Sequence, residues 1–231
     1  MKQILTKGIV LSRTDFGEAD RIITVLTPEQ GKLRFMARGV RKVKSKLAGG
    51  IELFSVSDFT YIPGKGEIAT LISSRLDIHY GHIVQDLDRV QLGYELIKQL
   101  HKNTEDNPEP EYFALLQHSF QALDDFSIDL ELISLWFQAQ LLKLAGHTPN
   151  LQTDTDGHQL QADHQYNFDY DNMSFASTPN GKFKADHIKT MRLLFAGYPP
   201  AKLQQIVGLS DTVKYAVQVT QLAYNTHLKG K

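Results

Sequence analysis

Hydrophobic and polar residues alternate imperfectly over the first 80 positions, in short runs rich in Ile, Val, Thr, Phe and Tyr. Such runs, separated by turn-forming residues, are typical of β-strands. We predict five strands, in "GIVLSR", "RIITVLT", "KLRFMARGV", "ELFSVSDFTYI" and "EIATLISSRL". Five closely spaced strands favour a small barrel. Because pairs such as Ile22-Ile23 put apolar groups on both faces, the pattern does not define the strand register.

From about residue 80 the hydrophobic period changes to 3.6, which indicates helices. The first predicted helix follows one apolar stripe, made of Ile83, Leu87, Val90, Tyr94, Ile97 and Leu100, and ends before the linker "NTEDNPEPE". Four further helices are predicted around residues 113–123, 128–142, 186–196 and 211–228. Ser127 is the predicted N-cap of the third helix, and Gly146 with Pro149 marks its end.

Residues 150–185 are polar and have no helical period. Asp156-Gly157 lies between "NLQT" and "HQLQA" and is a dipeptide that closes tight hairpins. We expect a small, poorly packed hairpin or loop there. The pattern therefore predicts an α+β chain, with a five-stranded barrel domain at residues 1–79 and a mostly α-helical domain at residues 80–231 that carries this insertion.

Charge is distributed unevenly although the whole chain carries a net charge of only -1. Residues 1–80 contain 13 Lys/Arg against 8 Asp/Glu, a net of +5, and the remainder contains 12 against 18, a net of -6. Residues 32–46 carry cations without any acidic residue. These cations are Lys32, Arg34, Arg38, Arg41, Lys42, Lys44 and Lys46.

Two interpretations of this basic stretch are open. It is either an ordinary solvated surface or a contact for a polyanion. Barrels of the OB type bind single-stranded nucleic acid by combining a basic groove with aromatic side chains that stack on bases. Phe35 lies among the cations and is the candidate stacking residue, so the stretch favours a nucleic-acid-binding site.

Other chemistry has little support in the sequence. Cys is absent, which excludes disulfides and thiolate metal sites and favours a reducing, cytoplasmic location. The nine His form no H-E-x-x-H motif, no G-x-S-x-G motif is present, and "PGKGE" lacks the spacing of a phosphate-binding loop. No apolar run approaches the length of a membrane span. We therefore predict neither a catalytic site nor a metal site.

Trp136 and Phe137 form a second apolar stripe on the third predicted helix, beside Leu141 and Leu144. Such a stripe packs in the core when a helix has neighbours on two sides. It could instead form an exposed pocket for a partner peptide.

The N-terminal 50 residues resemble the RecO family of bacterial recombination mediators. The resemblance rests on "KGIVL", on "GEADRI", on the T-x-E-x-G-K turn at residues 27–32 and on "ARGVRK" at residues 37–42. It continues more weakly through "LLKLAGHTPNL" at residues 141–151.

Membership would imply an N-terminal OB fold joined to a helical domain, and DNA binding without catalysis. RecO-like proteins anneal complementary single strands and, with RecR, help RecA replace single-strand-binding protein on DNA. The partners implied are single- and double-stranded DNA, RecR, single-strand-binding protein and, indirectly, RecA, at the bacterial nucleoid. Arg38, Arg41 and Lys42 match the family's basic segment and inherit the DNA-contact role most directly, while the remaining cations follow by proximity.

The resemblance also concerns two sites in the helical domain. Many RecO-like proteins carry a four-cysteine zinc site, whose first pair maps onto Thr153 and Asp156 and whose second pair maps near residues 175–178. Since no cysteine stands there, no cofactor is expected. The family's helical domain is expected to bind the acidic, Phe-ended tail of single-strand-binding protein, for which the candidate pocket is formed by Trp136, Phe137, Leu141 and Lys143.

A second function stays open at this point. The barrel could serve a protein-interaction adaptor, whose basic surface binds partner proteins and contacts DNA only within a complex.

Overall fold

The computed structural model describes residues 2–104 and 109–229, so part of the linker "NTEDNPEPE" lies outside the described residues. The chain divides into two compact units, residues 1–125 and 126–231. Within the described ranges, no helix combines the length and the apolar character that crossing a membrane requires.

The first unit contains the five predicted strands. They are β1 (Ile4–Phe16), β2 (Asp20–Thr27), β3 (Gly31–Ala37), β4 (Ser55–Ile62) and β5 (Ile68–His79). They close into a barrel in the order β1-β2-β3-β5-β4, in which β3 and β5 pair parallel and the other neighbours pair antiparallel. This is the arrangement of an OB fold, and the predicted fold class is confirmed.

Alternate side chains of each strand fill the barrel. Ile23, Val25, Phe35 and Phe59 are fully buried there. Gly8 lies where β1 crosses this core, and a Cβ at that position would come within 2.3 Å of a Val25 methyl carbon. A glycine is therefore required for β1 to close the barrel over its own core.

Two helices belong to the same unit, α1 (Leu87–Asn103) and α2 (Pro110–Asp124). Asp86 caps α1 by accepting the backbone N–H of Arg89 at 2.9 Å, and Pro110 begins α2, where its missing N–H costs nothing. Both helices thus belong to the same compact unit as the barrel. The domain boundary expected near residue 80 stays a prediction.

The apolar stripe predicted for α1 is correct in part. Ile97 and Leu100 are buried as expected, but Leu87 and Tyr94 are exposed, and the buried face also includes Gly93 and Leu96. The reason is Phe54, whose ring occupies the space beside Gly93 so closely that a Cβ there would lie 2.5 Å from it. The ring packs against a helix face that hydrophobicity alone does not identify.

The second unit is mostly helical. Its elements are α3 (Leu130–Leu144), β6 (Tyr166–Asp169), β7 (Ser174–Ser177), α4 (Ala185–Ala196), α5 (Pro200–Leu203) and α6 (Leu209–His227). Helix α3 contacts α4, α5 and α6, so it is buried on several sides. Its N-cap is Asp129, which accepts the Leu132 N–H at 3.0 Å, rather than the predicted Ser127.

Residues 150–185 contain a hairpin with a packed apolar core, which corrects the expectation of a poorly packed hairpin. β6 and β7 form a two-stranded antiparallel sheet, and the chain around Asp156-Gly157 turns back through a Thr153–Gln159 bridge. Four rings pack in edge-to-face or tilted contacts and form the aromatic cluster of this unit: Tyr166, Phe168, Phe175 and Phe183. All four rings are buried, so this polar-looking segment has a small core of its own.

Candidate nucleic-acid interface

The cations of residues 32–46 lie on β3 and on the loop that follows it. Lys32 and Arg34 belong to β3, whereas the other five lie in the segment of residues 38–46, here called the basic loop. The barrel therefore brings the predicted DNA-binding cations into one continuous region, but their surroundings differ.

Lys32 has a structural contact. Its ammonium donates to the carbonyl oxygens of His101 at 2.9 Å and Thr104 at 2.6 Å. These carbonyls end α1, where a helix leaves acceptors unpaired and where its dipole favours a cation. Lys32 thus ties β3 to the end of α1.

Two arginines form exposed ion pairs. Arg34 lies 3.7 Å from Glu67, and Arg41 lies 3.6 Å from Asp15. Exposed pairs of this kind contribute about 0–1 kcal/mol, so a phosphate could replace either carboxylate at small cost.

The remaining cations, Arg38, Lys42, Lys44 and Lys46, are exposed on the basic loop. Within residues 2–104 and 109–229, no carboxylate lies within 4.0 Å of them. Four cations on nine consecutive residues without a paired acid form a concentrated positive charge, which is the electrostatic requirement for binding a phosphate backbone.

A carboxylate beside the loop responds to this charge. A hydrogen bond from Arg21 holds the pKa of Asp15 below its usual value, and the charges of Arg41, Arg21 and Arg13 lower it further. Asp15 therefore stays ionised and is flanked by cations, so it offsets only part of the positive charge at this end of the barrel.

A cleft of about 450 Å³ lies beside the same strands. Its lining residues are Thr24, Lys32, Leu33, Arg34, Glu67 and His101. Thr24 and Arg34 are register partners across β2 and β3 and thus point to the same face. Because Ile23 and Phe35, the adjacent pair, point into the barrel, this is the outer face of the sheet, the face that OB folds use for oligonucleotides.

The prediction of Phe35 as a stacking residue requires correction. Its side chain is 0% exposed, and its ring packs 5.0 Å from that of Tyr61 and 5.8 Å from that of Phe59. The strand alternation that exposes Arg34 directs Phe35 into the core, so a base cannot reach it in this fold. An exposed ring on the same sheet is Phe16, at the end of β1; its position in the "DFGEAD" turn was the available signal.

The pocket expected on α3 also requires correction. Trp136, Phe137 and Leu141 are buried, and Lys143 is exposed but donates to the Phe195 carbonyl at 3.1 Å. Because α3 has neighbours on several sides, its second apolar stripe is part of the core. These side chains do not form a pocket that a peptide could enter.

The positions that correspond to the family's zinc ligands do not fit a zinc ion. Thr153 accepts a hydrogen bond from the Asn150 amide at 2.7 Å, and residues 175–178 are Phe, Ala, Ser and Thr. The turn is instead held by the buried Asp154, whose Oδ1 accepts the N–H groups of Asp156 at 3.0 Å and His158 at 2.9 Å. One carboxylate thus orders the backbone of this turn.

Asp154, Asp156 and His158 also place one potential ligand atom each within 4.8 Å of one another. Since Asp154 is already engaged by two backbone N–H groups, this grouping is accounted for by the turn itself.

Comparison with protein families gives two matches that together cover most of the chain. The family model described as Recombination protein O N terminal matches residues 1–76. The model described as Recombination protein O C terminal matches residues 90–231.

Curated proteins named DNA repair protein RecO are similar to this chain. One from Dehalococcoides mccartyi (strain 195) is 33% identical over 155 residues, which are 67% of this chain and 60% of that protein. One from Synechococcus elongatus is 38% identical over 152 residues, or 62% of this chain and 54% of that protein. One from Desulfatibacillum aliphaticivorans is 30% identical over 154 residues. The chain thus spans about 60% or less of the length of these relatives.

Proposed function

This chain belongs to the RecO family, and on that premise we propose that it is a DNA-binding recombination mediator that acts in recombinational DNA repair. It anneals complementary single strands and, with RecR, promotes loading of RecA on DNA coated with single-strand-binding protein. It does so without catalysing a reaction, in the cytoplasm at the bacterial nucleoid. The relatives named DNA repair protein RecO support this role.

The observation that carries the proposal is the basic loop. Arg38, Lys42, Lys44 and Lys46 extend beside the outer face of an OB barrel, in the described part of the chain without a paired acid. Cations near phosphates release condensed counterions, which supplies binding free energy that does not depend on sequence. We therefore expect similar affinity for single strands of different base composition.

Annealing follows from the same charge. Two DNA strands repel each other through their phosphates, and a loop that neutralises part of both backbones lets complementary bases meet long enough to nucleate pairing. The protein supplies no base information in this step, since pairing between the strands selects the product.

The test uses the full chain with Arg38, Lys42 and Lys44 replaced by Glu. These three cations make no ion pair among the described residues, so their reversal leaves the fold intact. Single-stranded DNA affinity should fall steeply, and the slope of log affinity against log salt should decrease by about 2, since each single-strand phosphate contact contributes about 0.7.

A matched control reverses three exposed lysines of the second unit that make no ion pair among the described residues, Lys182, Lys202 and Lys214, which gives the same net charge. If both triple variants bind DNA alike, the basic loop is not the interface. If the unaltered chain binds no DNA in a gel shift but does bind RecR, the adaptor function replaces the mediator function.

The partner proposals rest on family membership. We propose that RecR and the acidic tail of single-strand-binding protein bind this chain, although not at the buried α3 stripe. Fluorescence anisotropy with a labelled acidic peptide that ends in Phe tests the second partner, and a scrambled peptide is the control.

The second unit requires no zinc in this proposal. Support comes from Asp154, which closes the turn through two N–H bonds, and from the aromatic cluster, which packs the hairpin. Removal of metal should therefore leave the unit folded.

A further inference from the structure

An exposed aromatic ring lies on the outer face of the barrel. Phe16 ends β1 and pairs in register with Asp20, and Thr14, two residues earlier, pairs with Ile22. Ile22 in turn pairs with Met36 on β3. Register partners share a face, so Phe16, Ile22 and Met36 all lie on the outer face, while the alternate residues fill the core.

Phe16 is the exposed member of this group. Its side chain is 53% exposed, whereas Ile22 and Met36 are half-buried. In the described part of the chain, its ring contacts no other aromatic ring. A single exposed Phe is common on protein surfaces and does not by itself indicate a site. What distinguishes Phe16 is its attachment to the basic loop.

Four contacts join the β1–β2 turn to the basic loop. The backbone N–H of Arg41 donates to the Ala19 carbonyl at 3.0 Å, and the N–H of Gly39 donates to Asp20 Oδ1 at 2.7 Å. The Arg41 guanidinium donates to the Gly17 carbonyl at 3.4 Å and pairs with Asp15 at 3.6 Å. The turn that carries Phe16 is therefore held against the loop that carries the cations.

The backbone of this turn suits the arrangement. Gly17 has a φ of +58°, a conformation that only glycine adopts without strain. The chain can thus reverse directly after Phe16, so the ring stands at the rim of the sheet beside the loop and not within the hairpin.

We propose that Phe16 is the base-stacking residue of the DNA interface. A strand whose phosphates contact Arg38 and Lys42 places its bases towards the outer face of the sheet, where the Phe16 ring offers a flat apolar surface. Stacking of bases on aromatic side chains depends little on sequence, because every base has a π-face. This assignment rests on the proposed function and names the residue that distinguishes single strands from duplexes.

The basis of that distinction is access. In a duplex both faces of each base are covered by neighbouring base pairs, so Phe16 has no surface to stack on. Phosphates are equally available in both forms, so the cations contribute to both. Phe16 should therefore matter for single strands only.

The negative charge of Glu18, in the same turn, should lower affinity for DNA. Glu18 is exposed and, among the described residues, has no ion pair within 4.0 Å, whereas Asp15 is paired with both Arg21 and Arg41. Replacement of Glu18 by Gln removes a charge beside the strand and should raise affinity for single strands and duplexes alike, by about twofold.

The experiment measures binding of oligo-dT and of a duplex of equal length by the full chain, with Phe16→Ala and Phe16→Trp. Phe16→Ala should lower single-strand affinity by about 5- to 100-fold and leave duplex affinity within twofold, with an unchanged salt slope. Phe16→Trp should retain single-strand affinity and show quenching of the new indole fluorescence on titration with oligo-dT. Phe126→Ala is the matched control, because Phe126 is also 53% exposed.

Direct contact is tested by photocrosslinking of an oligonucleotide that contains 5-iodouracil, followed by peptide mapping. Crosslinking at Phe16 supports the assignment. Suppose that Phe16→Ala binds single strands like the parent, whereas the charge reversal of Arg38, Lys42 and Lys44 lowers single-strand affinity. The stacking role of Phe16 is then refuted and the proposed function stands. If neither variant changes single-strand affinity, both the stacking role of Phe16 and the proposed DNA-binding role of the basic loop are refuted. If Phe16→Ala unfolds, the absence of quenching in Phe16→Trp still refutes the assignment.

Discussion

Aromatic side chains are used in opposite ways at two hairpins of this protein, the β1–β2 hairpin of the barrel and the β6–β7 hairpin of the second unit. Beside the basic loop, Phe16 stands exposed at the end of β1. In the second unit, the aromatic cluster is buried, with Phe175 at its centre in contact with the other three rings. Phe16 thus faces solvent beside the cations of the basic loop, whereas the rings of the aromatic cluster face one another.

This comparison shows that the surroundings of an aromatic side chain, and not its residue type, decide whether it stabilises the fold or is available to a ligand. A ring whose contacts are other rings contributes to folding through buried area and edge-to-face geometry. A ring with no such contact contributes little to folding and is available to a ligand. Substitutions at the two places should therefore affect different measurements.

The largest effect is expected in the aromatic cluster. Phe175→Ala removes a fully buried ring and leaves a cavity, so it should lower the free energy of unfolding by about 3–5 kcal/mol, as measured by urea denaturation. DNA affinity of the folded variant should stay within twofold of the parent. Phe16→Ala is the matched control and should change stability by less than about 0.5 kcal/mol. Equal stability losses at the two sites would contradict the distinction.

A smaller effect is expected at the turn of the same unit. Asp154→Ala removes the carboxylate that accepts two partly buried N–H groups. Because hydrogen bonds to a charged group are stronger than neutral ones, this should cost about 1–3 kcal/mol. Asp154→Asn retains an acceptor oxygen and should cost less. If the unit needs no zinc, as we propose, a chelator such as EDTA should not change the melting temperature of the parent. A chelator-induced drop in melting temperature would show that a metal stabilises the unit.

In the first unit, substitutions at Lys32 and Lys42 should separate the structural role of a cation at the end of α1 from the proposed role of a cation in DNA binding. Lys32→Met removes a cation from the end of α1 and should lower stability by about 1 kcal/mol. Its effect on single-stranded DNA affinity should be smaller than that of Lys42→Met, which in turn should leave stability unchanged. The reverse ranking would place Lys32 among the DNA contacts and remove Lys42 from them.

The smallest effect is a pH dependence in the second unit. Burial lowers the pKa of His187 below its usual value of about 6.5, and the charge of Lys184 lowers it further, against the opposing effect of Asp186. The neutral ring accepts the Lys184 N–H and stacks on Tyr215. Since the unfolded chain binds this proton more readily, stability should be fully present above pH 6.5 and decline as the pH falls through the folded-state pKa.

His187→Gln isolates this contribution. A Gln at the third helical position can still accept the Lys184 N–H in a capping box but does not titrate. The difference in urea midpoint between parent and variant should therefore change between pH 7.5 and pH 5.5, with the parent losing more. A constant difference over this range would contradict the assignment.

The sequence predicted the five strands of the barrel and the change to helices near residue 80, because both depend on the local period of hydrophobic residues. The burial of the α1 face that contains Gly93 could not be predicted, since it depends on Phe54, a residue directly before β4 whose ring packs on Gly93. The packing of residues 150–185 was underestimated for a similar reason: Tyr166, Phe175 and Phe183 are separated along the chain by polar residues and meet only when it folds.

In the candidate site, the sequence identified the cations but not their separate uses. Nothing local distinguishes Lys32 from Lys42, because the carbonyls that Lys32 contacts belong to α1, about 70 positions later. Phe35 was chosen for its position among the cations, although the alternation of β3 directs it into the core.

By itself, the sequence determined the family, the order of strands and helices, and the concentration of positive charge at residues 32–46. These are properties of short segments, set by side-chain period and composition. Only the tertiary structure decided which cations cap a helix and which remain available, and that Phe16 rather than Phe35 stands exposed beside them. The physical reason is that pairing and burial depend on neighbours brought together by the closed barrel, which no local pattern encodes.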